Sequence, residues 1–113
     1  MDVDKSRRAQ AEQDIRTIES AMDMYKLDNF RYPTTEQGIK ALVSKPDTTP
    51  EPENYEEGGY LRRVPKDPWG NRYRYRNPGE HGDIDIYSFG ADGIPGGEDE
   101  NADIGNWKIE RNN

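Results

Sequence analysis

The chain of 113 residues has no cysteine and a single histidine, His81. The first absence excludes disulfide staples, CxxC metal sites and thiol nucleophiles, and leaves the redox compartment open. No apolar run approaches the ~18 residues of a membrane-spanning helix, and no signal peptide is visible. Hydrophobic residues make up only 30% against 35% charged, so core burial alone is thin and a structural ion becomes a reasonable support. Positive charge is also short. The formal net charge of −7 argues against a nucleic-acid partner, whose phosphates require a basic face. Arg72, Arg74 and Arg76 do cluster, but they alternate with Tyr73 and Tyr75 at strand spacing, as a solvated sheet face does. Catalytic signatures are missing too: there is no GxSxG, HExxH or phosphate-cradling glycine loop, and His81 sits in the turn Pro78-Gly79-Glu80-His81-Gly82. Hydrolytic chemistry needs a base, a nucleophile or an open metal, so the sequence predicts no enzyme.

What is present fits one domain, residues 1–113. Residues 5–28 read as a helix, because Ala11, Ile15, Ile18, Met22 and Tyr25 recur at alternating spacings of four and three. Its first half is almost wholly polar and carries no N-cap, as though it were the end of a longer helix. The opening Met1-Asp2-Val3-Asp4-Lys5 reads as an arbitrary start, so a preceding segment is expected to have been cut away. Asn29 suits the left-handed position that closes the helix, and Pro33 stops it continuing. A short helix is expected at 34–44, where Thr34 and Gln37 have capping-box spacing and Ile39, Leu42 and Val43 supply a buried side. A proline- and glutamate-rich loop follows at 46–59, without periodicity.

Residues 60–111 read as a β region. Asp67-Pro68-Trp69-Gly70-Asn71 is a strong turn signal, with Trp69 expected to fold back onto the core. Alternation then predicts strands at 72–76 and 83–89, and a last short one at Trp107-Lys108-Ile109. The plan is α+β, a long helix followed by a small antiparallel sheet.

The region 89–105 is the most unusual. It holds five carboxylates, Asp92, Glu98, Asp99, Glu100 and Asp103, in a glycine-rich loop between two apolar segments. Like charges so crowded need either open water or a counter-ion. Hard oxygen ligands on an irregular loop suit Ca2+, which takes about 6–8 oxygens at ~2.3–2.6 Å. An EF-hand is excluded: with Asp92 as position 1, positions 3 and 5 are Ile94 and Gly96, position 12 is Asp103, and no helix leads in. Any calcium site would be a single loop that also uses backbone carbonyls.

Three landmarks stand in order along the chain. They are Leu27-Asp28-Asn29 with Tyr32-Pro33-Thr34-Thr35-Glu36-Gln37-Gly38 and Ala41-Leu42; Pro65-Lys66-Asp67-Pro68-Trp69-Gly70-Asn71; and Ser88-Phe89-Gly90-Ala91-Asp92-Gly93 through Ala102-Asp103-Ile104-Gly105-Asn106-Trp107. Together, over roughly residues 10 to 110, they resemble the major pseudopilins of the bacterial type II secretion system, the general secretion pathway protein G family. The resemblance implies a type IV pilin-like fold, a long N-terminal helix on a small antiparallel sheet with a calcium-stabilised C-terminal loop. It also implies a hydrophobic N-terminal helical segment, processed by a prepilin peptidase and N-methylated. Such subunits polymerise with themselves, and act with minor pseudopilins and other secretion components, at the periplasmic face of the inner membrane of a Gram-negative bacterium. The filament helps drive folded proteins across the outer membrane. The hydrophobic segment is absent here, so this chain is expected to be soluble and not to polymerise alone.

Carried over residue by residue, the resemblance makes the Asp92 and Asp103 carboxylates and the Phe89 carbonyl calcium ligands, with Asp99 as a further acid. Asn101 and the Gly97 or Glu98 carbonyls are alternatives. Ala102 stands where some members carry another Asp, so the ligand set departs here. Two other readings compete: a type IV pilin or pilin-like subunit of another system, and a free-standing calcium-binding recognition module. Major pilins usually carry a C-terminal disulfide loop, and an acidic loop without cysteine favours the pseudopilin.

Overall fold

A computed structural model describes residues 3–109. Met1 and Asp2, together with Glu110 and Arg111 of the expected β region, lie outside the described residues. Helix α1 spans Val3–Asn29 and buries Ala11, Ile15, Ile18, Ala21, Met22 and Tyr25 on one side. Burying a seam this narrow leaves the polar first turns exposed, as their composition dictates. The helix ends one residue later than Asn29 suggests. Phe30 takes the left-handed position, φ 67°, and its N–H donates to the Lys26 carbonyl at 2.8 Å. Asn29 stays helical because its side chain is committed inside. Its Nδ2 donates to the Tyr25 carbonyl at 3.0 Å and to the Tyr60 hydroxyl at 3.2 Å, while its Oδ1 accepts from Asn54 N–H at 2.7 Å.

The helix expected at 34–44 is instead one capped turn and a 3-10 helix, Ile39–Leu42. The capping box itself forms. Thr34 N–H donates to Gln37 Oε1, and Gln37 N–H to Thr34 Oγ1, both at 3.0 Å. Gly38 then adopts φ 66°, a conformation outside any right-handed helix, and breaks the run. Gln37 also donates to the Thr48 and Pro50 carbonyls, at 3.0 and 3.1 Å, so the proline-rich segment is tied down. Tyr55 and Tyr60 close over Tyr25 in an edge-on cluster with centroids 5.2–6.2 Å apart.

The sheet is antiparallel, in the order β1 (Arg74–Arg76), β2 (Asp85–Ser88), β3 (Ile104–Gly105). Tyr75 pairs with Ile86, and Ser88 with Ile104. The arginines of β1 point outward while Tyr75 is buried, as the alternation predicts. The first strand is shorter than 72–76 because residue 72 makes only an isolated bridge to Lys66. The second occupies the middle of 83–89. A strand at 107–109 does not form; the third strand is Ile104–Gly105. Asn106 ends the ladder by exchanging bonds with Ile86, donating from its N–H to the carbonyl and accepting at Oδ1, both at 3.0 Å. Trp107 then folds back over Gly105, where a Cβ would stand 2.3 Å from the indole. The core lies between α1 and the sheet: Ile15, Ile18, Met22 and Tyr25 meet Ile84, Ile86, Ile104 and Leu42. Trp69 packs against its margin.

Candidate metal loop and its anchors

Continuing the β2–β3 register beyond Ser88 and Ile104 sets Phe89 opposite Asp103 at the base of the acidic loop. Both line a 330 Å³ cavity with Arg76, Tyr87, Pro95 and Trp107. One step further, Ala91 N–H donates to the Glu100 carbonyl at 2.9 Å. Gly90 is required at this crossing: its φ is 83°, and a Cβ would stand 2.8 Å from the Ala102 oxygen.

The expected ligands are spread along this hairpin. Asp103 is half-buried, and its two carboxylate oxygens accept the Gly96 N–H at 3.0 and 3.2 Å. Asp92 is exposed on the first limb, where Oδ1 accepts the Ile94 N–H at 3.2 Å. Asp99 is exposed on the second limb, opens the 3-10 turn Asp99–Asn101, and has φ 53°. The structure therefore brings Phe89 and Asp103 together and leaves Asp92 and Asp99 apart from their cavity. Among the described residues, no three acidic or imidazole side chains converge on one point.

The donor chemistry nonetheless fits a hard cation. Every candidate ligand is an oxygen, and none of the five loop carboxylates forms an ion pair with a described residue. Lys108, the nearest cation in sequence, gives its ammonium to the Asp103 backbone carbonyl at 3.1 Å and to no carboxylate. Among the described residues, then, the loop carboxylates have no ion-pair partner.

Three anchors that sequence reasoning missed hold the loop to the rest of the domain. Asp67, 4% exposed, accepts from Trp69 N–H (3.0 Å) and Asn71 N–H (2.9 Å) on Oδ1 and from the Ser88 hydroxyl (2.8 Å) on Oδ2. The Ser88 oxygen in turn accepts the Gly90 N–H at 3.1 Å. The Asp67–Asn71 turn is thereby wired to the base of the loop. A second anchor is Arg8 of α1, which donates to the Ala102 carbonyl at 2.9 Å. A third is Asn106, whose Nδ2 reaches Glu19 of α1 at 2.8 Å. Of these, only the Asp-Pro-Trp-Gly-Asn spacing carried a legible signal, an aspartate positioned to accept from the turn it opens.

Beside the loop, Asp85 is buried and carries a second polar knot. Burial alone would raise its carboxyl. Hydrogen bonds from the His81 ring and from the N–H groups of Glu80 and His81 outweigh that and hold it below the usual aspartate range. Nearby, burial and a hydrogen bond to Asp23 push the Tyr32 hydroxyl up to about 12. No nucleophile–base pair is built from these groups. They order backbone rather than reactants.

The family model for the type II secretion system (T2SS), protein G, matches residues 1–107. The chain belongs to that family. It is 58% identical over 108 residues to the type II secretion system core protein G of Pectobacterium carotovorum, covering 96% of this chain and 67% of the relative. Against the Vibrio cholerae core protein G it is 59% identical over 107 residues, covering 95% and 73%. In structure it is similar to the major pseudopilin from the type 2 secretion system of enterohaemorrhagic Escherichia coli. The TM-score is 0.84 at 57% identity, over 94% of this chain and 90% of that one. The fold class is accordingly the pilin-like α+β class that the three landmarks imply. As a member of this family, the chain is a core pseudopilin subunit and not an enzyme.

Proposed function

We propose that this chain forms the globular part of the repeating subunit of a type II secretion pseudopilus, and that its C-terminal loop is completed by one structural calcium ion. The family match carries the first half. The subunit polymerises through a hydrophobic helical segment continuous with α1, at the periplasmic face of the inner membrane, and the filament helps move folded proteins across the outer membrane. Minor pseudopilins and other secretion components are its partners, and the N-terminus is processed and methylated before assembly.

The loop carboxylates, which form no ion pair with a described residue, support the second half. Asp103 and the Phe89 carbonyl would hold the ion at the loop base, with Asp92 and Asp99 supplied by the two limbs. When bound, calcium neutralises like charges that otherwise repel. The residues themselves do the positioning: Gly96 fixes the Asp103 carboxylate, and Ser88 with Asp67 fixes the strand that presents Phe89.

The assembly test is to join an apolar helical segment ahead of α1, insert the product into membranes and look for filaments by negative-stain microscopy. Filaments whose yield falls in EGTA are expected. A membrane-inserted, folded product that never assembles would sink the reading.

A further inference from the structure

A groove of 590 Å³ lies on the side of the domain between the 34–40 turn and the segment leading into β1. Ile39, Val64, Pro65, Tyr73 and Tyr75 contribute apolar wall, and Val64 is 38% exposed. Its rim is basic. Lys40, Lys66 and Arg72 stand on it against one acid, Glu36, and none of the three cations forms an ion pair with a described residue. Apolar floor and unpaired cations together ask for an occupant that is apolar at its tip and acidic around it.

The same chain presents such a feature. Ile94 is 59% exposed, is followed by the exposed Pro95, and sits in the loop that carries Asp92, Glu98, Asp99, Glu100 and Asp103. An isoleucine held out in water at the crest of an acidic loop makes little of its burial energy within its own fold, and covering it is favourable. The charges match in sign: with the proposed calcium bound, the five loop carboxylates keep a net three negative charges, against a net two positive on the groove.

We propose that Ile94 and Pro95 of one copy dock into the Ile39/Val64/Pro65 groove of a second copy, with Glu98 and Glu100, the loop carboxylates left free of the ion, against Lys40, Lys66 and Arg72. The inference rests on the assembly reading above and deepens it by naming a contact. The two patches differ, so the contact is head-to-tail. Repeated, a contact of that type generates an open helical array rather than a closed dimer.

Absence of cysteine makes the test clean. Ile94→Cys and Val64→Cys chains, one bearing a size tag, are mixed at high concentration and oxidised. Sedimentation velocity on the unmodified chain at the same concentration reports self-association of any kind. The expected result is a mixed 64–94 disulfide several-fold in excess of either like-with-like product. It should fall several-fold in ~1 M salt, where the Debye length is about 3 Å. Lys66→Glu in the Val64→Cys chain should lower it likewise, and Glu98→Lys in the Ile94→Cys chain should partly restore it. Like-with-like products in equal or greater yield, or no salt response, overturn the contact. If disulfides fail while sedimentation still shows self-association, this contact is wrong and assembly stands. If neither appears, the contact is again wrong, and assembly is judged by the filament experiment alone.

Discussion

The His81 imidazole lies flat on the Trp107 indole, with centroids 3.7 Å apart and planes within 6°. Its Nδ1 donates to the buried carboxylate of Asp85 at 3.0 Å. The histidine is therefore a spacer between the carboxylate at one end of β2 and the tryptophan that follows β3. His81→Ala should expose Trp107 to water and shift its fluorescence to longer wavelength. A loss of about 1–2 kcal/mol is expected from the lost ring contact and hydrogen bond. Unchanged emission in a stable variant would show that the stack does no structural work.

Calcium should raise the melting temperature of this domain where magnesium does not. At ~100 times its Kd, a ligand adds about 2.7 kcal/mol, worth roughly 10 °C for a domain of this size. Asp103→Ala should abolish the shift, and Asp92→Ala should reduce or abolish it. Thermal unfolding in EGTA, in millimolar calcium and in magnesium decides the matter. Equal curves in all three would mean that the loop carboxylates are simply hydrated.

Asp67→Ala should be the most damaging single change outside the apolar core. It strands two backbone donors and the buried Ser88 hydroxyl, and each buried group left unsatisfied costs about 1–3 kcal/mol. Ser88→Ala removes one partner and should cost about half as much or less. Urea unfolding midpoints of the two variants make the comparison, and a milder effect for Asp67→Ala would overturn the ranking.

The alkaline limb of stability should be steep. The tyrosine hydroxyls of Tyr32, Tyr73 and Tyr75 all have pKa values raised in the fold, first by burial; for Tyr32 the value is about 12. A raised folded value means that the stabilisation is complete below the ordinary tyrosine value near 10 and is lost as pH climbs through the folded ones. Unfolding followed by circular dichroism between about pH 10 and 12 should coincide with phenolate absorbance. At the acid end the sign reverses. Asp85 is held low, so its contribution is present above the ordinary aspartate value near 4 and disappears as pH falls through its folded value. Asp85→Asn should flatten that acid limb.

Periodicity made the seam of α1 readable: Ala11, Ile15, Ile18, Met22 and Tyr25 are all buried. Short-range chemistry was readable too, since Thr34 and Gln37 cap each other as their spacing predicts. What propensity could not reveal is which side chain a tertiary contact will claim. Asn29 suits a left-handed cap by itself, but Tyr60 and Asn54 hold its amide inside, and the exposed Phe30 takes the strained position. The strand expected at Trp107-Lys108-Ile109 fails for a similar reason, because the Asn106 amide replaces backbone pairing and the Trp107 indole folds onto Gly105. The acids of the loop were visible as composition. The anchors at Asn106 and Arg8 were not, because Glu19 and Asn106 stand 87 residues apart and Arg8 and Ala102 stand 94 apart.

That last bond has a mechanical consequence. Arg8 belongs to the solvent-facing early turns of α1, yet it grips the acidic loop at the opposite end of the chain. Axial tension applied to the helix would reach the loop through the Arg8 guanidinium, beside the Glu19–Asn106 bond, and from the loop base would run through Gly90 and Ser88 to the turn at Asp67. The hydrogen-bonded route bypasses the apolar core, so a tug on α1 is shared between two load paths instead of being borne by side-chain packing alone.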